Sequence, residues 1–368
     1  MRVLHLLNHT RHSNGHVHVA VDLACAQGKL GNSVAVASGG GDFDGLLASN
    51  NVETMIVDHR RQPLTLLKSI WTLHGLVRRW RPDVVHAHMM TSALMAWPIC
   101  KLEGMPLVTT VHNEFQKSSI LMGLGTRVIA VSTAVGDSMC RRGISKSRLH
   151  VVLNGTIGSA RFDGKDRTPR HLKSPAIIFV GGLHPRKGLP DLFEAFKTVH
   201  ERNPAARLYI VGGGPHLDAY TALVQSMECA DAVMFLGSQD DPLPFLMGAD
   251  IFVLPSHADP APLVLSEARE AGCAVVATHV DGIPQLLEYG QAGILVPPTN
   301  PAKLAEALCS LIEFPESLET WRKRSQINID YLGIERVAKE TLDVYAAASC
   351  EIHGQRSAPE AKSFSGAA

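Results

Sequence analysis

Two carboxylates stand eight positions apart in the segment that follows the apolar run 251–254. Asp259 lies in the expected loop, and Glu267 lies about one turn into a helix that Pro262 and Leu263 open. A helix N-terminus attracts anions through its unpaired N–H groups and its dipole, and a nearby carboxylate can accept hydrogen bonds from sugar hydroxyls. The spacing therefore fits a sugar-nucleotide site, or equally two acids that only cap a helix and complement its dipole.

Two adjacent cations occupy the expected loop between the apolar run 176–181 and a helix that begins near Leu189. Arg186 and Lys187 would repel the positive end of that helix dipole, so their placement is favourable when an anion lies between them. Charge-assisted hydrogen bonds contribute roughly 1.5–3 kcal/mol each, enough to hold a nucleotide diphosphate at micromolar affinity without a metal ion. The alternative is a pair of solvated loop cations.

Glycines mark two further turns. Gly15 opens the predicted helix 16–30, where the missing side chain lets a phosphate or sugar approach the backbone, although an ordinary turn needs the same residue. Gly213 lies in the glycine triplet 212–214, which follows another apolar run. These turns contain neither a Gly-x-Gly-x-x-Gly nor a Gly-Lys-Ser/Thr sequence, which disfavours a dinucleotide site and a P-loop.

Histidine is abundant, with 18 residues in the chain. The N-terminal histidines mix strand, loop and helix positions and contain no His-Glu-x-x-His sequence, so no metal site is predicted. His112 follows the apolar run 107–111, at the carboxyl edge of a predicted strand. It is interpreted as a residue of a ligand cleft or as a capping or core histidine. The N-terminal histidines are His5, His9, His12, His16 and His18.

Short runs rich in Val, Ile and Leu alternate with segments of helical period. Such alternation is typical of parallel sheets covered on both faces, so we predict an α/β protein with two doubly wound domains, residues 1–160 and 161–317, joined at the turn-rich stretch 158–174. Ligands bind these sheets outside the carboxyl ends of the strands, which places the site between the domains. A helical segment at about 318–348 follows, and the tail 351–368 is predicted to be disordered. The predicted strands are 2–7, 33–37, 53–57, 83–87, 107–111, 127–131, 150–153, 176–181, 206–212, 232–236, 250–254, 273–277 and 293–296.

Composition narrows the classes of function. Aromatic residues are 5% of the chain, which argues against a stacking surface for nucleic acid. The seven cysteines are scattered and form no Cys-x-x-Cys pair, so a reduced, cytoplasmic compartment fits best. No apolar run approaches the roughly 18 residues of a membrane span.

Charge is distributed unevenly along the chain. Residues 1–160 carry 16 lysines and arginines against 9 acids, a net charge of +7, and residues 161–368 carry 19 against 26, a net charge of −7. The predicted helix 64–80 ends with Trp80 beside Arg78 and Arg79, which suits peripheral contact with an anionic membrane. A packed helix with a solvated basic end is the alternative.

Together these segments resemble the retaining glycosyltransferases of family 4, which have the GT-B fold of two facing Rossmann-like domains. The resemblance covers the chain to about residue 348. The family's donor-site pattern, a Glu, seven residues and a second Glu, is matched by Asp259 to Glu267 and followed by Gly282-Ile283-Pro284. Further similar segments are Asp83-Val84-Val85-His86-Ala87-His88, Val128-Ile129-Ala130-Val131-Ser132, Val151-Val152-Leu153-Asn154-Gly155 and Phe235-Leu236-Gly237.

The resemblance implies a role for each candidate residue. Glu267 should hold the ribose hydroxyls, and Asp259 should contact the transferred sugar. Lys187, helped by Arg186, should neutralise the diphosphate, and His112 should lie near the anomeric carbon. The C-terminal helix should cross back onto the first domain. The remaining expected contacts to the nucleotide sugar are Gly15, Gly182, Gly213, Pro262, Leu263 and Val264.

The resemblance also implies the activity: retaining transfer of a sugar from a nucleotide diphosphate sugar, UDP by preference, to a lipid-linked or saccharide acceptor, without a metal cofactor. Expected settings are polysaccharide, lipopolysaccharide or glycolipid synthesis at the inner face of the cytoplasmic membrane. Two positions depart from the family pattern, because Asp259 replaces a glutamate and Gly182 stands where an arginine is common. These departures keep open a non-catalytic sugar-nucleotide-binding subunit, beside a GT-B epimerase as the other alternative.

Overall fold

The structure is a computed structural model that describes residues 1–12, 14–60 and 62–357, with the side chains of residues 63 and 353–357 outside the description. The first half of that chain forms one parallel seven-stranded sheet. Its strands are β1 (Arg2–Leu6), β2 (Ser33–Ser38), β3 (Val52–Ile56), β4 (Val84–Ala87), β5 (Leu107–Val111), β6 (Arg127–Ala130) and β7 (Leu149–Val151), in the spatial order β3-β2-β1-β4-β5-β6-β7. The connecting helices are α1 (Gly15–Lys29), α2 (Asp44–Ser49), α3 (Pro63–Trp80), α4 (Met90–Glu103) and α5 (Thr133–Arg141).

The second half forms a parallel six-stranded sheet of the same design. Its strands are β8 (Ala176–Val180), β9 (Arg207–Val211), β10 (Val233–Gly237), β11 (Ile251–Leu254), β12 (Ala274–Thr278) and β13 (Ile294–Val296), in the order β10-β9-β8-β11-β12-β13. Its helices are α6 (Leu189–Arg202), α7 (Leu217–Gln225), α8 (Leu243–Met247), α9 (Leu263–Glu270), α10 (Ile283–Leu286) and α11 (Pro301–Glu313). The prediction of two doubly wound α/β domains is confirmed.

Burial explains why these sequences form strands. Every residue of β5, β8 and β12 is buried, since helices cover both faces of each sheet, and continuous apolar runs are stable only in such a place. Each predicted strand is present among the described residues, with ends shifted by at most two positions.

Both sheets reverse their strand order at a single point. In the first sheet β1 lies between β2 and β4, and in the second β8 lies between β9 and β11. Loops that leave neighbouring strands in opposite directions open a crevice at this point, where ligands of such folds bind. The loops after β1, β4 and β5 therefore face the same cleft as the loops after β8 and β11.

The C-terminal region differs from the prediction. A single helix was expected at about 318–348, but the structure has α12 (Pro315–Gln326), a 3-10 turn at Ile329–Leu332 and α13 (Ile334–Ser357). Asn328, with a left-handed φ of 57°, breaks the helical pattern between them. The expectation of disorder from residue 351 is wrong for 351–357, which continue α13, and residues 358–368 lie outside the described part of the chain.

Helix α13 packs on the first domain, as its contacts with α1 and β4 residues show. The hydroxyl of Tyr345 is fully buried, 2.6 Å from Nδ1 of His86 and 3.3 Å from Nε2 of Gln27 on α1. The chain thus crosses between the domains twice, at residues 152–175 and again after α12.

Candidate active site

Asp259 and Lys187 come from different loops and form a buried ion pair at the strand-order reversal of the second sheet. Lys187 Nζ donates to Asp259 Oδ2 at 2.5 Å, and Ser256 Oγ donates to the same oxygen at 3.2 Å. The N–H of Asp259 donates to Asp281 Oδ2 at 2.7 Å. The two paired side chains are 7% and 11% exposed, and removing either charge would leave the other buried without compensation.

Gly188 allows the two loops to approach this closely. It has a left-handed φ of 67° and begins α6, and a Cβ at this position would collide with the carbonyl oxygen of Pro255. A glycine therefore fixes the distance between the Lys187 turn and the loop of Asp259.

Arg186 does not join Lys187. Both lie in the 3-10 turn Pro185–Lys187, whose side chains diverge by about 120° per residue. Lys187 points into the protein, whereas Arg186 is exposed and its guanidinium lies 5.4 Å from the ring centre of Phe115, on the loop after β5. The expected pair of cations around one anion is thus reduced to Lys187, and Arg186 instead contacts the first domain.

Glu267 is the fifth residue of α9, about one turn into the helix as predicted, and it is buried. Its Oε1 lies 3.7 Å from Nη2 of Arg161. Burial raises the pKa of Glu267 to about 7, and the positive charge of Arg161 opposes that rise. Glu267 therefore changes charge near neutral pH.

Sequence reasoning missed the partner of Glu267. Arg161 follows β7 in the crossing segment and donates from Nε and Nη2 to the carboxylate oxygens of Asp22, at 2.8 to 3.0 Å. Asp22 lies on α1, is 1% exposed, and also accepts a hydrogen bond from Ser159 Oγ at 2.6 Å. An acid within the apolar stretch of the predicted helix 16–30 was the signal that could have revealed this ion pair.

The N-termini of α1 and α9 face each other across the cleft. A Cβ built on Gly15 would lie 3.9 Å from Cδ1 of Leu263, so the two predicted anion-binding helix ends meet here. Pro262 and Val264 flank Leu263 at the start of α9. Asn154 Nδ2 donates to the carbonyl of Ala261 at 3.2 Å and ties this turn to the crossing segment.

Gly182 and Gly213 lie side by side on the loops after β8 and β9. A Cβ on Gly182 would be 4.0 Å from the carbonyl oxygen of Gly213, and Gly182 is exposed. A side chain at Gly182 would have room, whereas one at Gly213 would meet Ser238 Oγ at 2.5 Å.

His112 is half-buried at the end of β5, on the cleft side of the first sheet. Its Nε2 lies 3.2 Å from Nδ1 of His88, and its ring centre is 6.0 Å from that of His16 on α1. Burial lowers the pKa of His112 to about 3, and the nearby His16 adds to this effect. His112 is therefore uncharged at neutral pH.

Behind His112, three buried histidines lie close together. Ring nitrogens of His5, His86 and His88 lie within 4.8 Å of one another, a separation that a metal ion could bridge. Of the N-terminal histidines, from which no metal site is predicted, only His5 belongs to this group.

A cavity of about 290 Å³ opens elsewhere in the first domain, between α4 and the end of α13. It is lined by Trp97, Lys101 and Leu107, at the amino end of β5. This is the opposite edge of the sheet from His112, so the cavity is separate from the cleft.

Comparison with known proteins identifies the class. A family model described as Glycosyl transferases group 1 matches residues 162–327, and one described as Glycosyltransferase Family 4 matches residues 13–156. The chain is 30% identical over 297 residues to glycogen synthase of Mycobacterium tuberculosis, covering 74% of this chain and 71% of that protein. The chain therefore belongs to the group 1, family 4 glycosyltransferases, and it is a glycosyltransferase with the GT-B fold.

Other relatives agree with this assignment. D-inositol 3-phosphate glycosyltransferase of Pseudarthrobacter chlorophenolicus is 28% identical over 339 residues, covering 83% of this chain and 77% of that protein. Among solved structures, Anabaena HepE in complex with UDP-glucose superposes with a TM-score of 0.77 at 19% identity, covering 94% of this chain and all of that chain. At this identity the structural likeness supports the fold.

Proposed function

We propose that this protein transfers a sugar from a UDP-sugar to an acceptor hydroxyl, with retention at the anomeric carbon and without a metal ion. The observation that carries the proposal is the buried pair of Lys187 and Asp259, with Glu267 eight residues further along on α9, at the strand-order reversal that faces Gly15. A nucleotide sugar has an anionic diphosphate between two groups that carry hydroxyls. It therefore offers a partner to each of these side chains.

The ion pair of Lys187 and Asp259 indicates how the nucleotide sugar is oriented when it binds. The charge of Lys187 is compensated by Asp259. When a nucleotide sugar binds, the diphosphate pairs with Lys187 and the sugar hydroxyls donate to Asp259 in its place. Asp259 is one methylene shorter than the glutamate of the family pattern, and it already reaches Lys187 at 2.5 Å. Glu267, which lies on α9 beyond the loop of Asp259, accepts hydrogen bonds from the ribose hydroxyls.

Retention requires bond breaking and bond making on one face of the sugar. The bond from the anomeric carbon to the diphosphate oxygen breaks, and a bond to the acceptor oxygen forms on the same side. The acceptor proton passes to the departing phosphate oxygen, so the nucleotide leaves as protonated UDP. Lys187 and the N-termini of α1 and α9 stabilise the negative charge that develops, which is the largest contribution to the rate.

The first test combines binding with turnover. A UDP-sugar at 100 times its dissociation constant should stabilise the protein by about 2.7 kcal/mol in thermal unfolding with EDTA present. Release of UDP should then depend on the addition of an acceptor. Binding without turnover for any acceptor would instead support the non-catalytic subunit, for which Asp259 and Gly182 are the motivating residues.

UDP-glucose binding should depend on pH through Glu267. Its pKa of about 7 means that the carboxyl is increasingly protonated as the pH falls below 7. A protonated carboxyl has lost its negative charge and one acceptor oxygen, so it binds the two ribose hydroxyls much more weakly. The dissociation constant should be flat above about pH 8 and rise toward tenfold per pH unit below pH 6. Calorimetric titration from pH 5.5 to 8.5 measures this.

The matched control for this titration is Glu267→Gln. The variant has no proton to lose, so its weaker binding should not vary with pH. A wild-type affinity that stays constant from pH 5.5 to 8.5 would refute the assignment of Glu267 to the ribose.

The acceptor side lies on the loop after β5. Glu114 is buried, and among the described residues its Oε2 has no hydrogen-bond partner. Burial raises the pKa of Glu114, and the negative charge of Asp281 adds to this rise across the cleft. A carboxyl oxygen without a partner at this place supports binding of an acceptor hydroxyl between His112 and the second domain.

An exposed apolar surface on α3 is evidence that the acceptor is located at a membrane. None of the described helices is long and apolar enough to cross a membrane. The sequence pointed to Trp80 as the interfacial aromatic, but Trp80 is buried, with its Nε1 donating to Glu53 at 3.0 Å. The exposed residues are instead Leu64, Leu67 and Trp71, at 82%, 58% and 77%, and Lys68 is exposed among them.

We infer that this face of α3 contacts the anionic inner surface of the cytoplasmic membrane, where a lipid-linked acceptor lies. The double change Leu67→Ser and Trp71→Ser should lower sedimentation with phosphatidylglycerol vesicles by about tenfold or more, because two large apolar contacts are lost. Phe314→Ser, an exposed aromatic on the second domain at 52%, should leave sedimentation unchanged. Equal sedimentation of the double variant and the wild type would contradict the inference.

A further inference from the structure

A line of hydrogen-bonded imidazoles runs from the interior of the first domain to the cleft. His5 on β1, His88 after β4 and His112 after β5 lie on neighbouring strands of the sheet. Nδ1 of His5 is 2.9 Å from Nε2 of His88, and Nδ1 of His88 is 3.2 Å from Nε2 of His112. Each ring thus touches the next through one nitrogen.

Burial keeps these rings uncharged. His5 and His88 are 0% and 2% exposed. Burial lowers the pKa of His5 to about 4 and the pKa of His88 well below its usual value, and neighbouring histidines lower the latter further. A neutral imidazole carries one proton, so each ring donates through one nitrogen and accepts through the other. The protonation site of one ring therefore sets that of the next.

The Gln27 amide, as oriented in the structure, determines which nitrogen of each ring carries the proton. Its Oε1 lies 2.9 Å from Nε2 of His5 and can only accept, so His5 carries its proton on Nε2. Nδ1 of His5 then accepts from Nε2–H of His88, and Nδ1 of His88 accepts from Nε2–H of His112. His112 is left with an unprotonated Nδ1.

Tyr345 on helix α13 contacts the other end of the Gln27 amide. Nε2 of Gln27 donates to the hydroxyl of Tyr345 at 3.3 Å, and that hydroxyl donates to Nδ1 of His86 at 2.6 Å. Nε2–H of His86 in turn donates to Thr110 Oγ1 at 2.7 Å. With Oε1 of Gln27 facing His5, as in the structure, one assignment of protons satisfies every contact. A rotated amide would reverse all of them.

The same contacts argue against a metal among His5, His86 and His88. Both ring nitrogens of each histidine already have a hydrogen-bond partner in the described structure. Buried polar groups that are fully paired need no ion to compensate them. A bound metal would have to displace several of these bonds.

We propose that Gln27, His5 and His88 are positioning residues that hold His112 as the tautomer protonated on Nε2, so that its Nδ1 accepts a hydrogen bond from a hydroxyl of the bound sugar or acceptor. This inference rests on the proposed function. In this tautomer Nδ1 of His112 accepts a hydrogen bond and does not act as a general acid, because an unprotonated nitrogen has no proton to give to a leaving group. This hydrogen-bonded row of Gln27, His5, His88 and His112, here called the histidine relay, also gives the buried histidines and α13 a role in the reaction.

The test is the nitrogen-15 spectrum of the histidine rings of the full chain at pH 7, with His112 assigned by loss of its signals in His112→Asn. The wild type should show a protonated Nε2 and an unprotonated Nδ1 for His5, His88 and His112. A His112 ring protonated on Nδ1, or on both nitrogens, would overturn the proposal. So would stoichiometric zinc or another transition metal in the purified protein.

A variant extends the test to catalysis. Gln27→Met removes the anchor at similar volume, so the His112 signals should show a mixture of tautomers, and kcat should fall roughly ten- to a hundredfold with little change in KM for the UDP-sugar. His59→Gln is the control, because His59 is a buried histidine that bonds Ser92 outside the relay, and it should change neither readout.

An unaltered His112 tautomer in a folded Gln27→Met protein would also overturn the proposal. Failure of the protein to bind UDP-sugars would refute the proposed function and leave the tautomer measurement standing.

Discussion

Lys187→Met should lower kcat for sugar transfer about 10²- to 10³-fold, because the positive charge that stabilises the departing diphosphate is lost. The substitution keeps an unbranched, apolar side chain as far as Cε and removes the ammonium group. Stabilisation by UDP-glucose in thermal unfolding should also disappear, since the diphosphate loses its buried partner. Steady-state release of UDP and thermal unfolding measure the two effects.

Two further variants separate catalysis from folding. Lys187→Met leaves Asp259 buried and unpaired, so the double variant with Asp259→Asn should regain thermal stability without regaining transfer. Lys197→Met removes a lysine on α6 that is 44% exposed and pairs with Glu194, and it should match the wild type in both assays. Full activity of Lys187→Met would contradict the assignment of Lys187 to the diphosphate.

Arg161→Leu should lower the free energy of unfolding by about 3–5 kcal/mol, because Asp22 then remains buried without its countercharge. Asp22 accepts three hydrogen bonds from the guanidinium group, and the two side chains are 0% and 7% exposed. Urea unfolding measures the loss. Adding Asp22→Leu should recover most of it, since an apolar pair of similar volume replaces the ion pair.

The same variant should weaken UDP-glucose binding at pH 7. Arg161 lowers the pKa of Glu267, so its removal raises that pKa further above 7 and reduces the ionised fraction. The pH dependence of binding should therefore move to higher pH. The control is Arg167→Leu, which breaks an exposed pair with Glu270 and should cost at most about 1 kcal/mol and leave the pH dependence in place. A stable Arg161→Leu protein with unchanged binding would count against both roles of Arg161.

Local pattern was enough to predict the fold. The apolar runs had the length and composition of buried parallel strands, and the loops that carry Gly15, Lys187 and Asp259 follow strands at the predicted edge. The break between α12 and α13 was not predicted, because it depends on a left-handed Asn328 inside a segment of continuous helical period. Contacts between distant segments set such a conformation, and one sequence does not display them.

The sequence predicted which types of residue the candidate site contains, but it did not predict which of them contact each other. The sequence placed Arg186 beside Lys187, but the 3-10 turn points them to different sides, a geometry that adjacency in sequence does not specify. Arg161 and Asp22 lie 139 positions apart, and the histidine relay joins three separate strands with α1 and α13. These groups are recognisable only when the topology brings their strands and helices together.

A crystal structure with UDP, grown with EDTA, tests the central claim most directly. The account predicts that the ribose hydroxyls lie within hydrogen-bond distance of Glu267 and that Nζ of Lys187 has moved from Asp259 to a phosphate oxygen. UDP bound outside the cleft, or Lys187 still paired with Asp259 while the diphosphate is held by a metal ion, would contradict it.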